Sequence, residues 1–229
     1  MALPEEADAL ARRLTRSTKS TRAIKLYDGT IEGTSVALAI CGMGKVASAM
    51  ATQLLCDMRT PRAVLSVGLA GGTGDDERGG VIVAAGAVQH DFDARPLASG
   101  RGLIPGFGGP IFHADKALVD ALLHAARAEV EDAATVQSGV VLTGDQIIAS
   151  SSVRDGLLAE FPGAACFDME TAAVAQVAGC NGVAWGGLRV TSDAADETFE
   201  SEDVLAFGAG AAALLFERII RRLMKDLDR

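Results

Sequence analysis

Apolar runs and helical periods alternate along this chain. Residues 35–40 (SVALAI) form an unbroken apolar run of strand length, followed by Gly42-Met43-Gly44 and a helical period over 45–58. Residues 63–67 (AVLSV) predict a second buried strand leading into a glycine loop at 68–74, and 81–85 (VIVAA) predict a third. A helical period over 114–128 carries Leu118, Leu122 and Ala125. Residues 136–143 read as a strand, 153–160 as a short helix and 169–178 as a helix closed by Gly179. Residues 183–191 (VAWGGLRVT) predict a strand that ends in a polar loop. Leu215, Ile219, Leu223 and Leu227 mark one face of a last helix, with Phe216, Ile220 and Met224 beside it.

Strands separated by helices favour a mainly parallel sheet covered on both faces, an α/β fold. No linker divides the chain and no repeat is visible, so residues 1–229 are expected to form a single domain. A helical pattern opens at residues 5–14 with no strand before it. The first strand of the sheet is therefore expected to be missing or displaced.

The chain is 49% hydrophobic and 22% charged, the balance of a soluble globular protein, and its net charge is −9. An acidic surface argues against nucleic acid, because phosphate backbones are held by clustered Lys and Arg. The longest uncharged run, 171–188, contains Gln176, Asn181 and several glycines, so no bilayer-spanning segment and no membrane partner is expected. The start, Met-Ala-Leu-Pro-Glu-Glu, is acidic where a signal peptide is basic and apolar. Cys41, Cys56, Cys166 and Cys180 are far apart in apolar surroundings and read as buried thiols of a cytoplasmic protein. His90, His113 and His124 supply no ligand spacing, and neither metal nor cofactor is expected.

Four segments carry candidate chemistry, each with a plainer alternative. Gly42–Ala47 follows a strand and opens a helix, as a dinucleotide fingerprint does, but lacks the ribose-binding acid about 20 residues on. A tight turn with N–H groups facing a cleft is the simpler reading. Gly68–Gly72 ends a strand, where a ligand or a structural turn equally explains the glycines. Asp168 and Glu170 flank Met169 at a helix start, a place that favours acids for electrostatic reasons alone. Asp193 follows an apolar strand and is either a general acid or a loop cap.

Taken together, in this order and spacing, the segments resemble the nucleoside phosphorylase family, and within it the 5′-methylthioadenosine/S-adenosylhomocysteine nucleosidases. The matching stretches are Gly42–Ala47, Ser66–Gly72, His90-Asp91, LIPG at 103–106, TGDQII at 143–148, FDMETAAVA at 167–175 and LRVTSDAAD at 188–196. The resemblance implies a three-layer αβα domain with a central mixed, largely parallel sheet. It also implies cleavage of the N-glycosidic bond of a 5′-modified adenosine.

On that resemblance Asp193 delivers a proton to purine N7 and Ser192 orients its carboxyl. Glu170 holds the ribose hydroxyls while Met169 packs on the sugar. Glu6 is the candidate base for the attacking water, with Glu5 its rival. Ile148 offers its backbone to the adenine edge, and Ile147 and Phe167 join it in substrate binding. Met43 and Leu69 line the ribose and 5′ side. The substrate is then a small-molecule nucleoside, and the family's habit implies a homodimer.

The chain departs from the family pattern in three places. No lead strand precedes Glu6; Ile147 stands where an aromatic usually meets the base; and residues 93–97 lack the aromatic often found near the alkylthio group. The 5′-substituent is thus left open. Ser66 replaces an arginine that resembles the phosphorylases' phosphate ligand, and Leu69 replaces a serine. Lys45 and Arg189 are the remaining candidate cations, each equally a structural charge. Water is therefore expected as nucleophile. The alternatives are phosphorolysis or hydrolysis of another purine nucleoside, and a catalytically inactive nucleoside-binding protein.

Overall fold

A ring of five strands occupies the centre of the molecule. The computed structural model describes residues 1–14, 16–17, 24–74 and 78–227. In chain order the first half contains α1 (Pro4–Ala11), β1 (Arg16–Ser17), β2 (Lys25–Ile31), β3 (Thr34–Ile40), α2 (Lys45–Arg59), β4 (Ala63–Gly71), β5 (Val81–Gln89) and β6 (Phe112–His113). The second half contains α3 (Lys116–Glu129), β7 (Val136–Thr143), α4 (Ser151–Glu160), β8 (Ala164–Asp168), α5 (Thr171–Cys180), β9 (Ala184–Asp193), α6 (Ser201–Phe207) and α7 (Ala213–Leu227).

Strand β5 runs parallel to β7, β7 parallel to β8, and β4 parallel to β9. Antiparallel contacts complete the circuit, β4 meeting β8 at Gly71 and Phe167, and β9 meeting β5 from Val81 to Val83. The sheet is mixed and largely parallel, as expected, but it closes on itself. Helices surround a barrel-like ring instead of covering two faces of an open sheet, which corrects the three-layer expectation. Register shifts at Ala70/Gly71, Ala84/Gly86 and Val140/Val141 supply the bends that closure requires. Small residues permit the close approach: a Cβ on Gly187 would stand 2.8 Å from that of Ala84.

The long apolar strands explain the packing. Val81, Val83, Leu188 and Val190 meet Ala7 and Leu10 of α1, Leu122 of α3, and Phe216 and Leu223 of α7 in one buried cluster. Each large side chain buried there contributes about 1.5–3 kcal/mol. Helix α5 is mostly alanine on its inner side, so Ala172, Ala175 and Ala178 lie close against Ile82, Val141 and Trp185.

Strand β4 continues through Gly68–Gly71, so these glycines are strand, not loop. The C-terminal face is also shifted: Phe216, Ile219, Ile220, Leu223 and Met224 are buried, while Leu227 is exposed. Strands β2 and β8 and helix α6 were not apparent from periodicity. The cysteine expectation holds for buried Cys41 and Cys166 but not for half-buried Cys56 or exposed Cys180.

Among the described residues no strand precedes α1. Instead the chain's first residues lie along the end of β3. The amino group of Met1 donates to Ala39 O at 3.0 Å, and the amides of Cys41 and Gly42 donate to the carbonyls of Met1 and Ala2. This short extended contact fixes where α1 begins.

Candidate active site

The site is built where β4, β9 and α5 meet the start of α1. Glu6 lies in the first turn of α1 and is buried, whereas Glu5 faces solvent. Its Oε2 accepts the Leu3 amide at 3.0 Å, closing the helix start, and its Oε1 accepts the Leu69 amide at 2.8 Å. The carboxylate is thus held by two backbone N–H groups from distant parts of the chain. Gly68 makes room for it: a Cβ there would stand 3.0 Å from Glu6 Oε1 and 2.5 Å from Arg189 Nη1.

Arg189 sits in the middle of β9 with its charge fully enclosed. Its Nη2 lies 2.6 Å from Asp168 Oδ2 and donates to Ser66 Oγ at 2.7 Å, while Nη1 donates to Leu69 O and stands 3.6 Å from Glu170 Oε2. Burial works against the guanidinium's charge, but Asp168, Glu170 and Glu6 outweigh it and raise its pKa. Asp168 also accepts the Thr171 amide at 3.0 Å and hydroxyls from Thr143 and Thr171. Asp168 thus combines helix-start chemistry, through the Thr171 amide, with a buried ion pair to Arg189. Glu170 Oε1 accepts the Gly44 amide at 2.9 Å. Gly44 presents that amide at φ +98°, a conformation that favours glycine, which makes Gly42–Gly44 the tight turn foreseen as the simpler alternative. Burial pushes the Glu170 pKa up to about 7, against the pull of Arg189.

Asp193 ends β9 at the opposite end of the Gly68–Gly71 segment. Ser192 Oγ donates to its Oδ2 at 2.6 Å, and the Ala195 amide donates to its Oδ1 at 2.9 Å. A Cβ on Gly71 would stand 3.4 Å from Asp193 Oδ1. One strand end thus touches Glu6 at Gly68 and Leu69 and reaches Asp193 at Gly71. Ile148 and Phe167 are buried together with Leu142, Leu157 and Ala195, behind the Asp193 loop. Met169 and Leu69 are half-buried, and Met43 and Ile147 are 56% and 55% exposed.

Both candidate cations are already occupied. Lys45 Nζ lies 2.6 Å from Asp91 Oδ1, and Asp91 Oδ2 accepts the Asp145 amide at 2.9 Å. Burial opposes ionisation of Asp91, but Lys45 and the Asp145 amide hold its pKa below the ordinary carboxylate value. The His90-Asp91 motif thereby ties the start of α2 to the loop that precedes Ile147. His90 itself is fully buried, its two ring nitrogens without a hydrogen-bond partner among the described residues, and burial lowers its pKa.

Sequence reasoning gave no role to Thr143 or Thr171, whose hydroxyls bond Asp168 and, for Thr171, Arg189. An arginine inside an apolar strand was the available signal, since a buried guanidinium demands acids and hydroxyls around it. Among the described residues no group of histidines, cysteines and acids is arranged to hold a metal, and no helix is long and apolar enough to cross a membrane.

A closed mixed α/β sheet with acids gathered at its strand ends defines the class, and the chain belongs to the phosphorylase superfamily, whose family pattern matches residues 1–224. It is 30% identical over 230 residues to a 5′-methylthioadenosine/S-adenosylhomocysteine nucleosidase of Anoxybacillus flavithermus, covering 100% of this chain and 97% of the relative. Its fold is similar to that of the Neisseria meningitidis 5′-methylthioadenosine/S-adenosylhomocysteine nucleosidase in complex with methylthio-immucillin-A. That match has a TM-score of 0.90 and 26% identity over 98% of this chain and 96% of the other. The Streptococcus pyogenes S-adenosylhomocysteine nucleosidase in complex with 5-methylthiotubericidin is similar too, with TM-score 0.90, 25% identity and coverage of 99% and 94%.

Proposed function

We propose that this chain is a purine nucleosidase that hydrolyses the N-glycosidic bond of a 5′-substituted adenosine of the methylthioadenosine/S-adenosylhomocysteine type, releasing adenine. The observation that carries the reading is the joint placement of Glu6, Glu170 and Asp193 around Gly68–Gly71, with Arg189 and Lys45 both engaged by acids. A dianionic phosphate would need free cations beside the ribose. Water needs only a base.

In this reading Asp193 passes its proton to adenine N7, so the base leaves neutral. The C1′–N9 bond breaks ahead of nucleophile attack, and positive charge spreads over C1′ and the ring oxygen. Glu6 takes a proton from the incoming water while its oxygen bonds to C1′. Nearby carboxylates stabilise the cation-like transition state more than the neutral ground state, which is where the rate gain arises. Glu170 accepts the ribose hydroxyls, and the Ser192 hydroxyl orients Asp193. Met169 packs on the sugar, Ile148 and Ile147 meet the base with Phe167 behind them, and Met43 and Leu69 border the 5′ side. Residues 1–229 act as one nucleoside phosphorylase-like domain. A cytoplasmic homodimer fits the four thiols and the exposed Val46 and Met50, one turn apart on α2.

Incubation with methylthioadenosine, with and without phosphate, tests the proposal. Adenine and free methylthioribose in both conditions are expected. Adenine with a sugar 1-phosphate as the sole sugar product overturns hydrolysis.

A further inference from the structure

The loop that carries Asp193 is gripped from outside by the first turn of α4. Arg154 Nη1 donates to Ala194 O at 3.1 Å and lies 3.8 Å from Asp196 Oδ2. Its side chain is only 14% exposed. Gly74 leaves the space it fills, since a Cβ there would stand 2.9 Å from the guanidinium carbon. On the same turn Ser150 Oγ and the Ser151 amide and hydroxyl converge on Glu197 Oε1 at 3.1–3.2 Å. Between these two grips, Ala195 is fully buried with φ +54°. A left-handed alanine costs about 1–2 kcal/mol and persists only where its surroundings hold it. Here its amide is the group that bonds Asp193 Oδ1. From the other side, Arg78 Nε donates to Ser192 O at 2.7 Å.

We infer that Arg154 is a positioning residue for the acid: by holding Ala194 O it keeps Ala195 left-handed and so aims the Asp193 carboxyl. Helix α4 starts at Ser151, three residues after Ile148. One helical turn therefore sets the distance between the segment proposed to meet the adenine edge and the group proposed to protonate it. The inference rests on the reading of Asp193 as the purine acid.

The test compares two substrates. Methylthioadenosine needs a protonated leaving group; a 5-methylthioriboside of p-nitrophenol does not. Arg154→Met is expected to lower kcat on methylthioadenosine about tenfold, with KM little changed, because small misplacements of a reacting group are costly. Turnover of the aryl riboside is expected to stay within about twofold. Arg154→Lys keeps charge and length without the forked donors and is expected to show the same selectivity at smaller size, so it decides the matter should the methionine variant not fold. Equal losses on both substrates, or none on either, overturn the role of Arg154. Asp193→Asn is measured alongside. If its losses on the two substrates are equal, the acid assignment itself falls; if they are selective while those of Arg154 variants are not, only the positioning role falls.

Discussion

Arg189 Nη2 stands 2.6 Å from Asp168 Oδ2 where the two side chains are 2% and 0% exposed. This pair anchors the site, because the same guanidinium reaches Glu170, Leu69 O, Ser66 and Thr171. Removing one partner of a buried pair leaves the other charge without compensation. Arg189→Met is expected to destabilise the fold by about 3–5 kcal/mol, and Asp168→Asn by a smaller amount because the hydroxyl partners remain. Urea denaturation of both variants checks this; a stable Arg189→Met protein contradicts it.

Glu170 carries a pH signature. Its folded-state pKa of about 7 lies above the ordinary 4.5, so folding takes up a proton between those values. The stability it contributes is complete below the ordinary value and is lost as pH rises through about 7. Relative to Glu170→Gln, the native protein is expected to lose stability from about pH 5 to about pH 8. Substrate affinity is expected to run the opposite way, since the ionised carboxylate accepts the ribose hydroxyls. Denaturation midpoints and KM across that range provide the comparison. Parallel pH trends in the two proteins refute it.

Gly208 backs Glu6 and Leu69. Helix α6 joins α7 through a π-helical turn, Gly208–Ala212, and a Cβ on Gly208 would stand 3.1 Å from Leu69 Cδ1 and 4.0 Å from Glu6 Cγ. Its φ of −58° suits any residue, so space and not conformation requires the glycine. Gly210 in the same turn has open space around it. Gly210→Ala is expected to raise stability by up to about 1 kcal/mol without altering kcat. Gly208→Ala forfeits that gain and lowers kcat, and Glu6→Gln lowers kcat by about 100-fold or more. Matched melting and turnover assays settle each comparison.

Gly144 and His90 form a tight contact between the turn that follows β5 and the loop after β7. A Cβ on Gly144 would stand 2.3 Å from His90 Nε2. Gly144→Ala is expected to cost about 1–3 kcal/mol through overpacking. The double variant with His90→Ala is expected to recover part of that loss relative to His90→Ala alone. Additive melting losses would show that the ring is not what the new methyl meets.

Strands such as 81–85 and the helix over 45–58 were legible because burial imposes its own period on the sequence. Strand β8 was not, because five residues, two of them alanine and the last an acid, carry too short a period to register. Glu6 and Asp193 were legible through family resemblance. Arg154 was not, since an arginine on an exposed-looking helix announces no partner until Gly74 and Ala194 are brought beside it.

By itself the sequence determined the α/β class, the buried strands and the acidic character, since side-chain chemistry and local period are properties of neighbours along the chain; the set of acids proposed for catalysis came from the resemblance to a family. Tertiary structure alone decided that the sheet closes, that Glu6 and not Glu5 faces inward, and that Arg189 and Lys45 are spent on carboxylates. Those outcomes depend on contacts between residues such as Glu6 and Leu69, 63 positions apart. No local pattern encodes a contact of that kind; the packing of the whole chain does.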